Sequence, residues 1–143
     1  MNAAFKNSLY LLIVSSLSLF GFSIFFFIVG PVDFVQDSLN LVISSCILAF
    51  FFVTSSIINL VNHKKKLEAY DERDNSIISN ANIYGFVITM MYVFVFTTSL
   101  FIKFRDLEYV SVGYLWFIAY SSIIFSYFSI SLLIVVTYLG EKN

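Results

Sequence analysis

The chain has 143 residues, of which 59% are hydrophobic and 12% are charged, roughly half the charged fraction of a soluble domain. A soluble fold of this size needs a largely polar surface, so this composition argues against one. The net charge of −1 gives no reason to expect nucleic acid as a partner, and the length suits a single domain, 1–143.

Four apolar stretches, each without a charged residue, are long enough to cross a bilayer. A hydrocarbon core of about 30 Å needs about 20 helical residues at 1.5 Å per residue. The stretches are 9–29, 39–61, 83–102 and 110–139. The first ends at Gly30-Pro31 rather than at an Ala-x-Ala site, which favours a retained span over a cleaved signal. We therefore predict an all-α, polytopic membrane protein, a bundle of four transmembrane helices.

The distribution of Lys and Arg beside these stretches predicts the orientation. Six lie at the two termini and in the polar segment 62–82, whereas two lie in the short loop 103–108. Because positively charged flanks stay in the cytoplasm, we expect both termini and the loop 62–82 to be cytoplasmic.

The first part of that loop is a basic run directly after the second stretch. Lys64, Lys65 and Lys66 could reach anionic lipid head groups, each contributing about 1 kcal/mol. The same run could equally serve to fix topology and nothing more. We expect no metal or other cofactor. Cys46 has no second cysteine, and His63 has no second histidine with which to bind a metal ion.

The densest polar segment of the chain is the box Asp71-Glu72-Arg73-Asp74. Asp71 can cap a helix, with Asp74 three residues later in a variant of the capping box. The segment that follows predicts a short amphipathic helix leading into the third stretch. The box lacks the glycine turn and the spaced oxygens of a calcium loop. We therefore expect a helix start with a solvated charged face, and the box is the candidate contact surface.

This box, followed by Ile77 and the small Ala81, resembles the Asp-Glu-Arg-(Asp/Glu) box of a family of small predicted membrane proteins of bacteria and archaea. In that family the box also lies in a polar loop between two hydrophobic hairpins. The resemblance covers the box and the pattern of spans. It implies the same topology, and because the family has no established activity it implies no mechanism. Together with the small size and the absence of an N-glycosylation sequon, it leads us to expect a bacterial cell (inner, cytoplasmic) membrane.

Small and polar residues within the spans predict where helices pack, because close approach and hydrogen bonds drive helix association in lipid. The fourth stretch carries one such stripe, Ala119, Ser122, Ser126 and Ser129. The second carries Ser45, Ala49, Ser56 and Asn59, and the third opens with Asn82, Gly85 and Thr89. An interface inside the bundle is the favoured interpretation, and a polar pathway across the membrane is the alternative.

Elimination narrows the function to two classes. No stretch holds a carboxylate, a histidine or a pair of cysteines, so the spans lack the acids, bases, metal ligands and redox pairs on which the known classes of four-span membrane enzyme depend. We expect a small non-enzymatic protein that acts by contact within the membrane, in an immunity, accessory or regulatory role. The alternative is a subunit of a small oligomeric transporter or channel. The expected partners are the lipid bilayer and either another membrane protein or further copies of the chain.

Overall fold

The computed structural model describes residues 3–69, 71–107 and 109–140, with the backbone alone at residues 3 and 62–69. Its elements are α1 (Ala3–Val29), α2 (Asp33–Gln36), α3 (Ser38–Ala69), α4 (Glu72–Phe104) and α5 (Val112–Gly140). Within the described ranges, each of the four long helices is long and apolar enough to cross a membrane. The all-α class is therefore confirmed, and the helices are compatible with the four predicted spans.

The long helices extend well beyond the apolar stretches at one end of the molecule. α3 continues to Ala69 and α4 begins at Glu72, so the segment 62–82 is almost entirely helical rather than a loop. The predicted amphipathic lead-in is present as the first turns of α4. Hydropathy detects only the part of a helix that suits lipid, whereas backbone hydrogen bonding continues into water. α4, with 33 residues, is consequently about 50 Å long at 1.5 Å per residue.

Helix packing places α1 and α5 at the centre of the bundle. Among the described residues, extensive interfaces join α1 to α5, α4 to α5 and α1 to α3, and α2 contacts all of α1, α3 and α5. α3 and α4 follow each other in the chain but pack mainly on different central helices. We call the end with the short helix the α2 end, and the end where α3 meets α4 the turn end.

An aromatic core fills the α2 end between α1, α2 and α5. Phe22, Phe26, Phe34 and Phe117 are all buried. The Phe22 and Phe117 rings stack with centroids 5.6 Å apart, and Phe34 meets Phe26 edge-on at 5.1 Å. Such ring pairs add about 0.5–1.5 kcal/mol beyond their buried area. The four-residue α2 is therefore held as a cap over the end of the bundle.

Two glycines allow the chain to close over this end. Gly30 has φ +84° and ends α1 in the left-handed conformation that glycine adopts without steric cost. At the start of α5, Gly113 lies so close to the Pro31 carbonyl that a Cβ would sit 1.9 Å from the oxygen. The Ser111 hydroxyl donates a hydrogen bond to the same oxygen at 2.9 Å. The connection after α1 is thereby held against the start of α5, and we call this contact between Pro31, Ser111 and Gly113 the clasp.

The outer surface of the helices is strongly apolar. Many large hydrophobic side chains are exposed along the spans, among them Leu17, Phe20, Ile28, Leu60 and Phe101. A soluble monomer rarely exposes an apolar surface of this extent, whereas lipid contact requires one. The four long helices therefore fit a multi-pass membrane protein.

Candidate functional site

The box forms the start of α4 at the turn end. Asp71 is the N-cap residue, with extended backbone angles of φ −82° and ψ 174°. Its carboxylate accepts a hydrogen bond from the Asp74 backbone N–H, with 2.7 Å between N and Oδ1. Glu72 and Asp74 lie in the first turn, where negative charge complements the helix dipole. The predicted N-cap is confirmed.

Asp74 does not belong to a solvated face, in contrast to the expectation from the sequence. Its side chain is 2% exposed, and the Tyr138 hydroxyl of α5 donates a hydrogen bond to its Oδ1. The face of α4 that begins with Asp74 and continues through Ile77 and Ala81 turns towards α5. A carboxylate in such an interface needs a hydrogen-bond donor, because burial without one is costly.

Tyr138 joins three helices at the turn end. Its hydroxyl bonds to Asp74 of α4, while its ring meets Phe5 of α1 edge-on, with centroids 6.0 Å apart. One turn further from the end, Ile134 of α5 packs against Ile77 and Ala81 of α4. The start of α4 is thus fixed against the last turns of α5, which also contact the first turns of α1.

The remaining box residues are on the surface. Asp71, Glu72 and Arg73 are exposed at the start of α4. Their positions are set by the cap and by the burial of Asp74 directly after them. This turn end therefore presents charged side chains of both signs at a defined place on the bundle.

A second polar contact joins α4 and α5 inside the spans. The Thr89 hydroxyl donates to the Gly85 carbonyl at 2.8 Å, and the Ser129 hydroxyl donates to the same oxygen at 3.3 Å. A Cβ on Gly85 would lie 3.2 Å from the backbone Cα of Ile130, so the two helices approach closely here. Ala81, Gly85 and Thr89 form the small-residue spacing that is typical of packed membrane helices.

A third contact lies nearer the α2 end. The hydroxyls of Tyr92 and Ser121 are hydrogen-bonded at 2.8 Å, and the Ser121 hydroxyl also donates to the Phe117 carbonyl at 2.6 Å. The Tyr92 ring stacks on Phe125 with centroids 4.5 Å apart. These hydroxyls form their hydrogen bonds within the α4–α5 interface, as expected of helix packing. A polar pathway would need hydroxyls that face an opening instead.

The predicted stripe on α5 lies partly in this interface. Ser129 is buried against α4, Ser122 and Ser126 are partly buried, and Ala119 is exposed. The Ser122 hydroxyl donates to the Ala119 carbonyl of its own helix at 3.0 Å. The buried face of α5 passes through Ser121 instead of its neighbour, because α1 and α4 both contact that side of the helix.

Sequence reasoning missed Tyr138, Tyr92 and Ser121 as members of these contacts. No local pattern distinguishes these two tyrosines from the other aromatic residues of the spans. Their partners lie on another helix, 64 residues away for Tyr138 and 29 for Tyr92. The predicted lipid contacts Lys64, Lys65 and Lys66 have side chains outside the described part of the structure.

Among the described residues, no group of three or more His, Cys, Asp and Glu side chains is arranged to hold a metal ion. Comparison with protein-family models, with curated proteins and with solved structures found no match to this chain.

Proposed function

We propose that this chain is a small non-enzymatic integral membrane protein that acts by contact, with the exposed part of the box as its contact surface. The observation that carries the proposal is the construction of the turn end. Asp71, Glu72 and Arg73 are exposed, while the residue that follows them is buried against Tyr138. A charged surface on a fixed helix start is a suitable docking element, since little conformational freedom is lost when a partner binds.

The proposed setting is a cell (inner, cytoplasmic) membrane, with both termini and the turn end in the cytoplasm. The supporting observation is the excess of Lys and Arg on the turn-end side. In this orientation the extensions of α3 and α4 beyond the apolar stretches project into the cytoplasm. Lys64, Lys65 and Lys66 would then lie at the level of anionic head groups, and the topology would agree with the family that the box resembles.

The alternative, a subunit of an oligomeric transporter or channel, is favoured by one observation. The α3 surface that turns away from the bundle exposes Ser45, Cys46 and Ala49 among apolar residues. Small residues allow close helix approach, so copies of the chain could associate here. The polar contacts inside the chain favour the contact role, because the hydroxyls of Thr89, Ser129 and Ser121 are hydrogen-bonded within the α4–α5 interface.

Photocrosslinking in native membranes tests the contact role. A photoreactive phenylalanine analogue placed at Glu72 or Arg73 is expected to give one discrete protein adduct, whose partner is then identified by mass spectrometry. The matched control places the same group at Phe101, which is exposed on the same helix inside the apolar stretch and should react mainly with lipid.

Two outcomes would contradict the proposal. If neither box position gives a protein adduct while the parent protein is present at normal levels, the box is not a contact surface. If the adducts are copies of this chain, crosslinked also at Ala49, and purified protein in vesicles conducts ions, the transporter or channel alternative replaces the contact role.

A further inference from the structure

A groove between α1 and α3 opens towards the surroundings of the bundle. It has a volume of about 470 Å³, and its lining includes Leu17 and Gly21 of α1 and Val42, Cys46 and Phe50 of α3. A second, mainly apolar groove of about 360 Å³ lies on α3 and shares Val42 and Cys46 with the first. The two form one continuous depression, which we call the α1–α3 groove.

Gly21 keeps this groove open on the α1 side. A Cβ added there would have no atom of the described residues within 4 Å, so packing inside the chain does not require a glycine. Its φ is not positive either, although glycine within a helix costs about 1 kcal/mol relative to alanine. The space above Gly21 therefore serves no contact within the described chain, and a molecule from outside can occupy it.

The shape of the α1–α3 groove suits hydrocarbon chains better than a helix. Residues 42–50 form the α3 wall of the larger part, which is therefore roughly 12 Å long at 1.5 Å per residue. With a volume of about 470 Å³, its mean cross-section is about 40 Å², about half that of a helix 10 Å across. A helix would rest on the rim of the groove, whereas lipid tails fit along its floor.

A polar pocket lies next to this groove, towards the α2 end. Its lining includes Asp33 and Gln36 of α2, Asp37, and Asn40 of α3. Asn40 is two residues before Val42 of the groove, on the same helix. Only residues 30–38 separate the first two apolar stretches, so the pocket lies at the level of lipid head groups.

The two carboxylates of this pocket have no cation from their own chain. Asp37 accepts a hydrogen bond from the Leu39 backbone N–H at 2.9 Å. The Asn40 amide donates to the Asp33 backbone carbonyl at 3.1 Å and not to its carboxylate. Among the described residues, neither carboxylate forms an ion pair. A cationic group is therefore the charge complement of the pocket.

We propose that the polar pocket and the α1–α3 groove together bind one phospholipid with a primary ammonium head group, of the phosphatidylethanolamine class. The ammonium donates charge-assisted hydrogen bonds to the carboxylates of Asp33 and Asp37. The exposed Gln36 amide is a donor for the phosphate, and the acyl chains lie in the groove over Gly21. An anionic lipid without an ammonium group meets like charge in the same pocket.

This lipid site is independent of the proposed contact function. It lies at the α2 end and between α1 and α3, whereas the box lies at the turn end on α4. Lipid binding is measured on the purified chain, and the contact function is tested by the crosslinks at Glu72 and Arg73. Either proposal can fail while the other stands.

Native mass spectrometry of the purified chain in detergent micelles measures the number of bound lipids. The protein is titrated with dioleoyl phosphatidylethanolamine and, separately, with dioleoyl phosphatidylglycerol, which has the same tails and no ammonium. At equal concentration we expect about tenfold tighter binding of the ethanolamine lipid, the effect of a weak hydrogen bond to a charged group.

The head-group site is tested by Asp33→Asn combined with Asp37→Asn. Asparagine keeps the shape of both side chains and retains an oxygen that accepts from the Leu39 N–H, so the change removes charge alone. The preference for the ethanolamine lipid should disappear. Asp106→Asn is the matched control, because this carboxylate is 93% exposed in the loop between α4 and α5, and it should keep the parental preference.

The tail groove is tested by Gly21→Leu, which fills the open space without meeting a described atom at its Cβ. Binding of both lipids should fall severalfold, because the side chain takes the place of the tails. Ala119→Leu makes a similar addition at an exposed position of α5, outside the groove, and should bind lipid as the parent does. Unfolding by SDS verifies that each variant is folded.

Several results would overturn the lipid site. Equal binding of the two lipids by the parent, or a preference that persists in the double Asn variant, excludes the head-group pocket. Parental binding by Gly21→Leu, or an equal loss in Ala119→Leu, excludes the tail groove. If Gly21→Leu does not fold, the space is not open and the groove fails as well. If it changes the oligomeric mass but not lipid binding, the groove is an interface between copies of the chain.

Discussion

Gly113→Ala tests the clasp at the α2 end most directly. The new Cβ would lie 1.9 Å from the Pro31 carbonyl oxygen, and the nearby Pro31 carbonyl carbon and Cα lie at 2.8 and 3.0 Å. Ordinary contact begins at 3.4 Å, so the Pro31 backbone must move by about 1.5 Å. Because the obstacle is backbone, no side-chain rotation can relieve it.

The expected cost follows from three contributions. Overpacking against a fixed neighbour costs about 3 kcal/mol at the upper end of its usual range. The displacement also removes the Ser111 hydrogen bond to Pro31, which contributes about 1 kcal/mol. Alanine in place of glycine within a helix returns about 1 kcal/mol. The free energy of unfolding should therefore fall by about 3 kcal/mol, as the balance of these terms.

Two other helical glycines provide matched controls for the same substitution. At Gly21 nothing lies within 4 Å of the new Cβ, so Gly21→Ala should increase stability by up to about 1 kcal/mol. At Gly85 the new Cβ would meet the Ile130 side chain at 2.4 Å and its backbone at 3.2 Å. There we expect a net loss of about 1 kcal/mol, because overpacking of about 2 kcal/mol outweighs the gain in propensity.

Unfolding by SDS in mixed micelles, followed by circular dichroism, measures the three variants side by side. The expected order of stability is Gly21→Ala above the parent, then Gly85→Ala, then Gly113→Ala. An equal effect at all three positions, or a stabilised Gly113→Ala variant, would show that the clasp does not constrain the start of α5.

Three further substitutions test other parts of the structure. Asp71→Ala should lose a cap that contributes about 1 kcal/mol and speed hydrogen exchange in the first turn of α4, whereas Asp71→Asn should not; equal exchange in both would contradict a capping role. Ser121→Ala should destabilise the α4–α5 interface by about 1 kcal/mol in SDS titration, and Ser122→Ala should have a smaller effect; the reverse order would reassign the interface. In a chain whose native cysteine is replaced, thiols at Asp37 and Asp106 should label from outside intact cells, and labelling only after permeabilisation would reverse the orientation.

Hydropathy was sufficient to place the four long helices, but it could not give their ends at the turn end. The apolar windows stop where lipid contact stops, whereas α3 and α4 continue as helices to Ala69 and from Glu72. The N-cap at Asp71 was predictable, because capping depends on residues three apart. The burial of Asp74 was not, because it depends on Tyr138, which is 64 residues later in the chain.

Serine pairs explain why the packing faces were harder to predict than the spans. The sequence repeats adjacent serines at 15–16, 44–45, 55–56 and 121–122, so a stripe of small residues can be drawn through either member. In all four pairs the first serine is buried and the second is more exposed. Neighbouring residues lie about 100° apart around a helix. Which serine of a pair is buried therefore depends on where the adjacent helix lies. On α5 the predicted stripe ran through Ser122, whereas the interface runs through Ser121.

The central position of α5 has a consequence for biogenesis. α5 is synthesised after α1, α3 and α4, yet it forms the interfaces with both α1 and α4. Until α5 has been made, α4 lacks the helix that it packs against and the aromatic face of α1 lacks Phe117. During synthesis, three long helices are therefore complete before the helix that packs on both α1 and α4. Completion depends on contacts between segments far apart in sequence, which form late and slowly compared with local ones.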